Sequence, residues 1–172
     1  MNTGSLSPLA RFATLGPVGF LPVAPGTVAS VIAVIAVFIL HRLGLFWSVG
    51  PATLAVCLLG YRASQLYMAE TGKGDDDDPQ EIVIDEVAGM MIALWPLSLG
   101  LTLAGADPTV FPWPGVVFAF VMFRALDILK PPPISWAEKA PGAKGVMFDD
   151  LLAGVLTALA ATLAAGIAHG WF

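Results

Sequence analysis

Residues 82–106 read IVIDEVAGMMIALWPLSLGLTLAGA. From Val87 to Ala106 there is no charged residue, and a run of this length matches the ~20 residues a helix needs to cross a bilayer core. Two acids, Asp85 and Glu86, stand at its leading edge, between Ile82-Val83-Ile84 and Val87. A charge in such apolar surroundings is costly unless it is paired or bound to a metal, although an interfacial charge that only marks the helix end gives the same pattern. Gly89 lies one helical turn past Asp85 on the same face, where its bareness lets a neighbouring helix or a phosphate come close. Pro96 predicts a kink in the helix.

Working outward, four more apolar stretches flank this one: Val23–Leu40, Phe46–Tyr61, Val110–Phe123 and Leu151–Ala168, the stretches at 46–61 and 110–123 being short for a span. The 172 residues are 57% hydrophobic and 12% charged, with mean hydropathy +0.81, against about 45–50% and about 25% in an average soluble domain. One small globule cannot hide that surplus, so much of it must face lipid. The fold class expected is therefore all-α, a polytopic membrane protein of about four to five hydrophobic helices forming one domain over residues 1–172. Pro112 and Pro114 predict the start of the fourth helix, and the Gly/Ala-rich last stretch suits close packing in lipid.

If all five stretches cross, seven of the eight basic residues fall on one side and only Arg42 on the other. The positive-inside rule puts that basic side in the cytoplasm. All the acids except Asp107 share it, so the active site is expected at the cytoplasmic face. The net charge of −5 argues against a nucleic-acid partner, which needs a basic stripe. The single cysteine, Cys57, excludes a disulfide pair and a zinc-type thiol spacing. His41 and His169 lie outside the charged motifs, and no P-loop or dinucleotide glycine pattern is present.

Three further segments carry polar chemistry. In Phe123-Arg124-Ala125-Leu126-Asp127-Ile128-Leu129-Lys130-Pro131-Pro132-Pro133, residues Arg124, Asp127 and Lys130 recur every third position and form one helical edge that ends at the prolines. Two cations and a carboxylate there suit a phosphate and a metal, or simply ion pairs that snorkel at a span's end. In Gly145-Val146-Met147-Phe148-Asp149-Asp150, two acids open the last span, either as helix caps favoured by the dipole or as one ligand plus one orienting group. The loop Gly16–Thr27 is rich in turn formers, and its backbone amides with the Thr27 hydroxyl could take a phosphate oxygen, or Thr27 could merely cap the helix. The run Asp75-Asp76-Asp77-Asp78 reads as a solvated loop for its first three members. Hard oxygen ligands converging from three segments favour Mg²⁺.

Taken in order, Leu21–Thr27, Asp78-Pro79 with Ile82–Glu86, Phe123-Arg124 with Asp127 and Lys130-Pro131, and Gly145–Asp150 with Ala153-Gly154 make the chain resemble the phosphatidylglycerophosphatase A family. The resemblance implies Mg²⁺-dependent hydrolysis of phosphatidylglycerophosphate to phosphatidylglycerol and phosphate at the cytoplasmic face of the bacterial inner membrane. It leaves the oligomeric state open. Ala29, where the family often has glycine, and the acidic run before Asp78 depart from its pattern.

On this basis Asp78, Asp85, Glu86, Asp149 and Asp150 are the candidate metal ligands, and Asp85, Glu86, Asp127, Asp149 and Asp150 the candidate catalytic set. Arg124, Lys130 and Thr27 are the candidate phosphate contacts. The sequence leaves the nucleophile open between water activated at the metal and a carboxylate, Asp85 or Asp149, that forms an aspartyl-phosphate. Two competing functions are a CDP-lipid-dependent phosphotransferase, whose tight aspartate series is missing, and an ion- or proton-coupled transporter, whose charges usually lie nearer the membrane midplane.

Overall fold

The computed structural model describes residues 6–169, among which there are seven α-helices and no strand. They are α1 (Pro8–Ala13), α2 (Pro25–Arg42), α3 (Val49–Thr71), α4 (Ile84–Leu103), α5 (Trp113–Leu129), α6 (Ile134–Ala137) and α7 (Ala143–Ala168). The five apolar stretches correspond to α2, α3, α4, α5 and α7. Of these, α2, α4 and α7 are long and apolar enough to cross a membrane. Helix α3 is diluted by a polar C-terminal half that carries Arg62 and Glu70, and α5 has 17 residues.

Local chemistry sets the helix ends. Pro25 opens α2 at a position where a missing N–H costs nothing. Gly72 closes α3 in the left-handed region, and Lys73 N–H reaches back to Met68 O at 2.9 Å. Lys130 closes α5 with φ 43°, a conformation more often given to Gly, and Pro131 follows. Helix α4 runs unbroken through Pro96.

The expected bounds need two corrections. Helix α3 continues ten residues past Tyr61, because its polar half packs against α1 instead of meeting lipid. Helix α7 begins at Ala143, eight residues before Leu151, so Asp149 and Asp150 sit in its second turn and not at its opening. Their role as N-terminal caps is thereby removed, since the dipole effect fades within the first turn.

Helix α4 is the hub, packed against α2, α3, α5 and, most extensively, α7. Small residues make the α4–α7 approach possible. A Cβ at Gly154 would strike the Gly89 carbonyl oxygen, and one at Gly89 would lie 2.5 Å from the Asp150 carbonyl oxygen and 2.7 Å from the Phe123 ring. At the opposite end of α2 from Pro25, buried His41 meets Ser98 of α4 at 2.8 Å. Outward-facing Ile35, Ile39, Leu99, Leu159 and Ile167 remain exposed and form the surface offered to lipid.

Candidate active site

The close α4–α7 contact carries the first turn of α4 against the second turn of α7. Asp85 and Asp150 are buried and Glu86 nearly so, and each offers a carboxylate oxygen within 4.8 Å of the other two. Three anions this close in a low-dielectric setting repel strongly unless a cation joins them. Glu86 Oε2 and Asp150 Oδ1 are buried with no hydrogen-bond partner among the described residues. Orphaned carboxylate oxygens converging on one point fit a hard divalent cation.

Around this cluster lies a cleft of about 240 Å³. Its walls include Ala24, Pro25 and Gly26 from the start of α2, Asp78 and Pro79 from the loop ahead of α4, Arg124, Asp127 and Lys130 from the end of α5, and Asp149. Arg124 Nη1 lies 2.6 Å from Asp127 Oδ2, an ion pair whose orientation leaves Nε and Nη1 without an aligned hydrogen bond. Lys130 Nζ donates to Asp149 Oδ2 at 2.8 Å and to Glu138 Oε1 at 2.6 Å. Burial pulls the Lys130 ammonium toward the neutral form, but its hydrogen bonds to Asp149 and Glu138 outweigh this and hold its pKa above the ordinary lysine value. Asp149 is doubly engaged, because its Oδ1 also accepts the Asp150 N–H at 2.9 Å.

Asp85, Glu86, Asp127, Asp149, Asp150, Arg124 and Lys130 thus share one cleft, with exposed Asp78 at its rim. Asp75, Asp76 and Asp77 are exposed on the adjoining loop, where Asp77 Oδ2 accepts the Gly74 N–H at 2.6 Å. Thr27 follows Gly26 in the first turn of α2, half-buried and outside the residues that line the cleft.

Two contributors were not singled out from sequence. Glu138 reaches Lys130 only because the prolines after α5 fold the chain back, a contact that residue spacing does not signal. Gly26 matters for what it lacks: a Cβ there would collide with Glu86 Oε1 and lie 3.4 Å from Arg124 Nη1. The Pro25-Gly26 pair marked the turn, but the need for a bare α-carbon comes from α4.

The described residues form a helical bundle in which three helices are fit to span a bilayer, the pattern of a membrane protein, and one end carries a buried acidic cluster that could hold a metal ion, flanked by two cations. The family model described as Phosphatidylglycerophosphatase A matches residues 11–165. The chain belongs to the phosphatidylglycerophosphatase A family and is a phosphatase. It is 34% identical to phosphatidylglycerophosphatase A of Escherichia coli strain K12, over 81% of this chain and 73% of that protein. With phosphatidylglycerophosphatase A of Haemophilus influenzae the identity is 33%, over 87% and 89% of the two chains. A Bacteroides thetaiotaomicron protein provisionally named a phosphatidylinositol-3-phosphatase is 35% identical over 80% of each chain. No solved structure matches the chain significantly. Family membership does not favour the transferase or transporter alternatives.

Proposed function

We propose that this protein hydrolyses the terminal phosphomonoester of phosphatidylglycerophosphate, yielding phosphatidylglycerol and phosphate, with Mg²⁺, at the cytoplasmic face of the bacterial inner membrane. The observation that carries the reading is the buried Asp85–Glu86–Asp150 cluster, with orphaned oxygens on Glu86 and Asp150, set beside Arg124 and Lys130. The orientation rests on the bias of basic residues toward the end that carries the site.

In this reading Asp85, Glu86 and Asp150 would hold the metal, with Asp78 at the rim of the same cleft. Bound there, Mg²⁺ supplies Lewis-acid polarisation of the phosphoryl group and a more acidic water. Arg124 turns its unsatisfied N–H groups to the phosphoryl oxygens, and Lys130 adds a second positive charge as the equatorial oxygens gain negative charge. Asp149 has both carboxylate oxygens engaged, so it serves to hold Lys130 and is a poor nucleophile. Water attacks phosphorus as the bond to the glycerol oxygen breaks, and the proton lost by water is delivered to that oxygen. Asp127, in the cleft beside Arg124, is the carboxylate assigned to this transfer. The acyl chains stay in the bilayer, so only the headgroup enters.

The test is phosphate release by the purified protein in mixed micelles. Phosphatidylglycerophosphate should be cleaved, cleavage should stop with EDTA, and Mg²⁺ should restore it. Release that is indifferent to EDTA removes the metal role. Equal or faster cleavage of phosphatidylinositol 3-phosphate moves the substrate assignment toward the activity in the Bacteroides protein's name. Oxygen-18 from water appearing in phosphate, and none in a carboxylate after one turnover, is expected for direct water attack.

A further inference from the structure

A second cleft, of about 400 Å³, opens between α3 and the start of α7. Its polar lining is Tyr61, Gln65, Lys73, Asp75 and Lys144, over an apolar floor that includes Met68. Lys73 is half-buried and Lys144 exposed, and neither has a carboxylate within 4.0 Å among the described residues, although four aspartates follow at 75–78. In a chain of net charge −5, the cleft thus carries one cation on each wall, Lys73 just past the end of α3 and Lys144 on α7, neither neutralised by a carboxylate partner.

The depth of the cleft is set by sequence. On α3 it begins at Tyr61, where the apolar stretch gives way to Arg62, Gln65 and Glu70. On α7 it lies ahead of the apolar run that starts at Leu151. Toward the membrane, Leu54 and Leu58 continue the Tyr61–Gln65 face of α3, and Phe148 and Val155 continue the Lys144 face of α7, all exposed. A polar, positively charged pocket at headgroup depth that opens onto two apolar helix faces matches the shape and charge of one amphiphile.

We infer that the Lys73–Lys144 cleft is a docking site for an anionic membrane phospholipid, its phosphodiester held by the two ammonium groups and its chains laid along α3 and α7. This site is separate from the catalytic cleft and does not depend on the phosphatase reading. Between them lies a third depression whose charged lining is Asp75, Asp76, Asp77, Asp78, Glu138 and Asp149 against a single cation, Lys139. That acidic strip repels a phosphate moving from one cleft to the other, so the lipid is a resident and not a substrate in transit.

The test measures lipid selectivity of the full-length protein in phosphatidylcholine bilayers. Spin-labelled phosphatidylglycerol should associate in preference to spin-labelled phosphatidylcholine. K73Q/K144Q should lower that preference on the order of tenfold, as expected for two lysines near an anionic headgroup, whereas K73R/K144R should keep it. Inorganic phosphate added at millimolar level should not compete, since the site takes its ligand from the bilayer. Competition by phosphate would assign the cleft to a soluble anion and overturn the lipid proposal. As a measurement on the unaltered protein, a photoactivatable anionic phospholipid should label peptides spanning Tyr61–Asp75 and Pro141–Lys144. Labelling confined to other segments, or a wild-type preference in K73Q/K144Q, overturns the site. Phosphate release is not a readout here, so failure of this proposal is distinct from failure of the catalytic one.

Discussion

Lys130 and Asp149 face each other across the α5–α7 boundary with Nζ 2.8 Å from Oδ2, which ties the end of one helix to the second turn of the other. The Asp149 side chain is 9% exposed and that of Lys130 27%, so cutting the pair strands a carboxylate away from water. Lys130→Met should cost roughly 1–3 kcal/mol, below the ~3–5 kcal/mol of a fully buried pair because the ammonium is partly solvated. Thermal unfolding of K130M, D149N and the double variant should show coupling, the double being less destabilised than the two singles added together. Additive losses would mean that the two groups do not support each other.

The same pair fixes a pH dependence. Burial opposes the Lys130 charge, but Asp149 and Glu138 outweigh it, so the folded pKa is raised. A raised lysine pKa gives stabilisation that is complete below the unfolded value of about 10.4 and lost only as pH climbs through the folded value. The stability gap between wild type and K130M should therefore stay level from about pH 7 to about pH 9 and shrink only at stronger alkalinity. A gap that closes below about pH 9 would contradict the pairing.

Asp150→Asn separates repulsion from metal binding. Without a divalent ion, removing one of three crowded anions relieves repulsion and should raise the thermal midpoint. With Mg²⁺ in excess the order should reverse, because wild type gains the binding free energy, about 2.7 kcal/mol at a hundredfold excess over Kd, and the variant loses most of it. Phosphate release should fall by about two orders of magnitude or more, as when a transition-state charge loses its main partner. If wild type and D150N respond equally to Mg²⁺, Asp150 is not a ligand.

Much of this was legible from residue types alone. An apolar surplus and the gathering of acids at one end both follow from composition and position, and Asp85-Glu86 at the edge of an uncharged run announced a cost that some partner must offset. The start of α7 was not legible, because residues 143–150 alternate small, apolar and charged types, and their helicity comes from packing against α4 and α6. Glu138 was hidden for a related reason: its partner is eight residues away around a proline turn, and local periodicity carries no information about such a return. Gly89 was read as a point of close approach to a helix or a phosphate, and the neighbour is helix α7, through Asp150 and Gly154.

Gly154→Ala probes that approach. In an isolated helix the change favours stability by up to ~1 kcal/mol. Here the new Cβ meets the Gly89 backbone, with Gly89 C and Cα both at 3.0 Å, and backbone cannot swing aside. The clash should win, with a net loss of about 1–3 kcal/mol. Activity should fall with it, since α4 carries Asp85 and Glu86 while α7 carries Asp150. A stable, fully active G154A would show that the two helices can part without disturbing the cluster.

Gly26→Ala should behave in the opposite way, because the atom its Cβ meets is Oε1 at the tip of the Glu86 side chain. A carboxylate tip can rotate away at little cost, so the thermal midpoint without metal should move by less than about 1 kcal/mol equivalent. The rotation, however, takes Glu86 out of the arrangement in which its oxygen lies with those of Asp85 and Asp150. The Mg²⁺ concentration needed for half-maximal phosphate release should rise by roughly tenfold or more, in line with the ~10–100-fold losses seen when a ligand's supporting shell is disturbed. Saturating Mg²⁺ should recover much of the rate, which distinguishes a misplaced ligand from a lost one. A G26A protein with ordinary Mg²⁺ dependence would show that Glu86 needs no room at the head of α2, and Glu86 would then have to be dropped from the metal set.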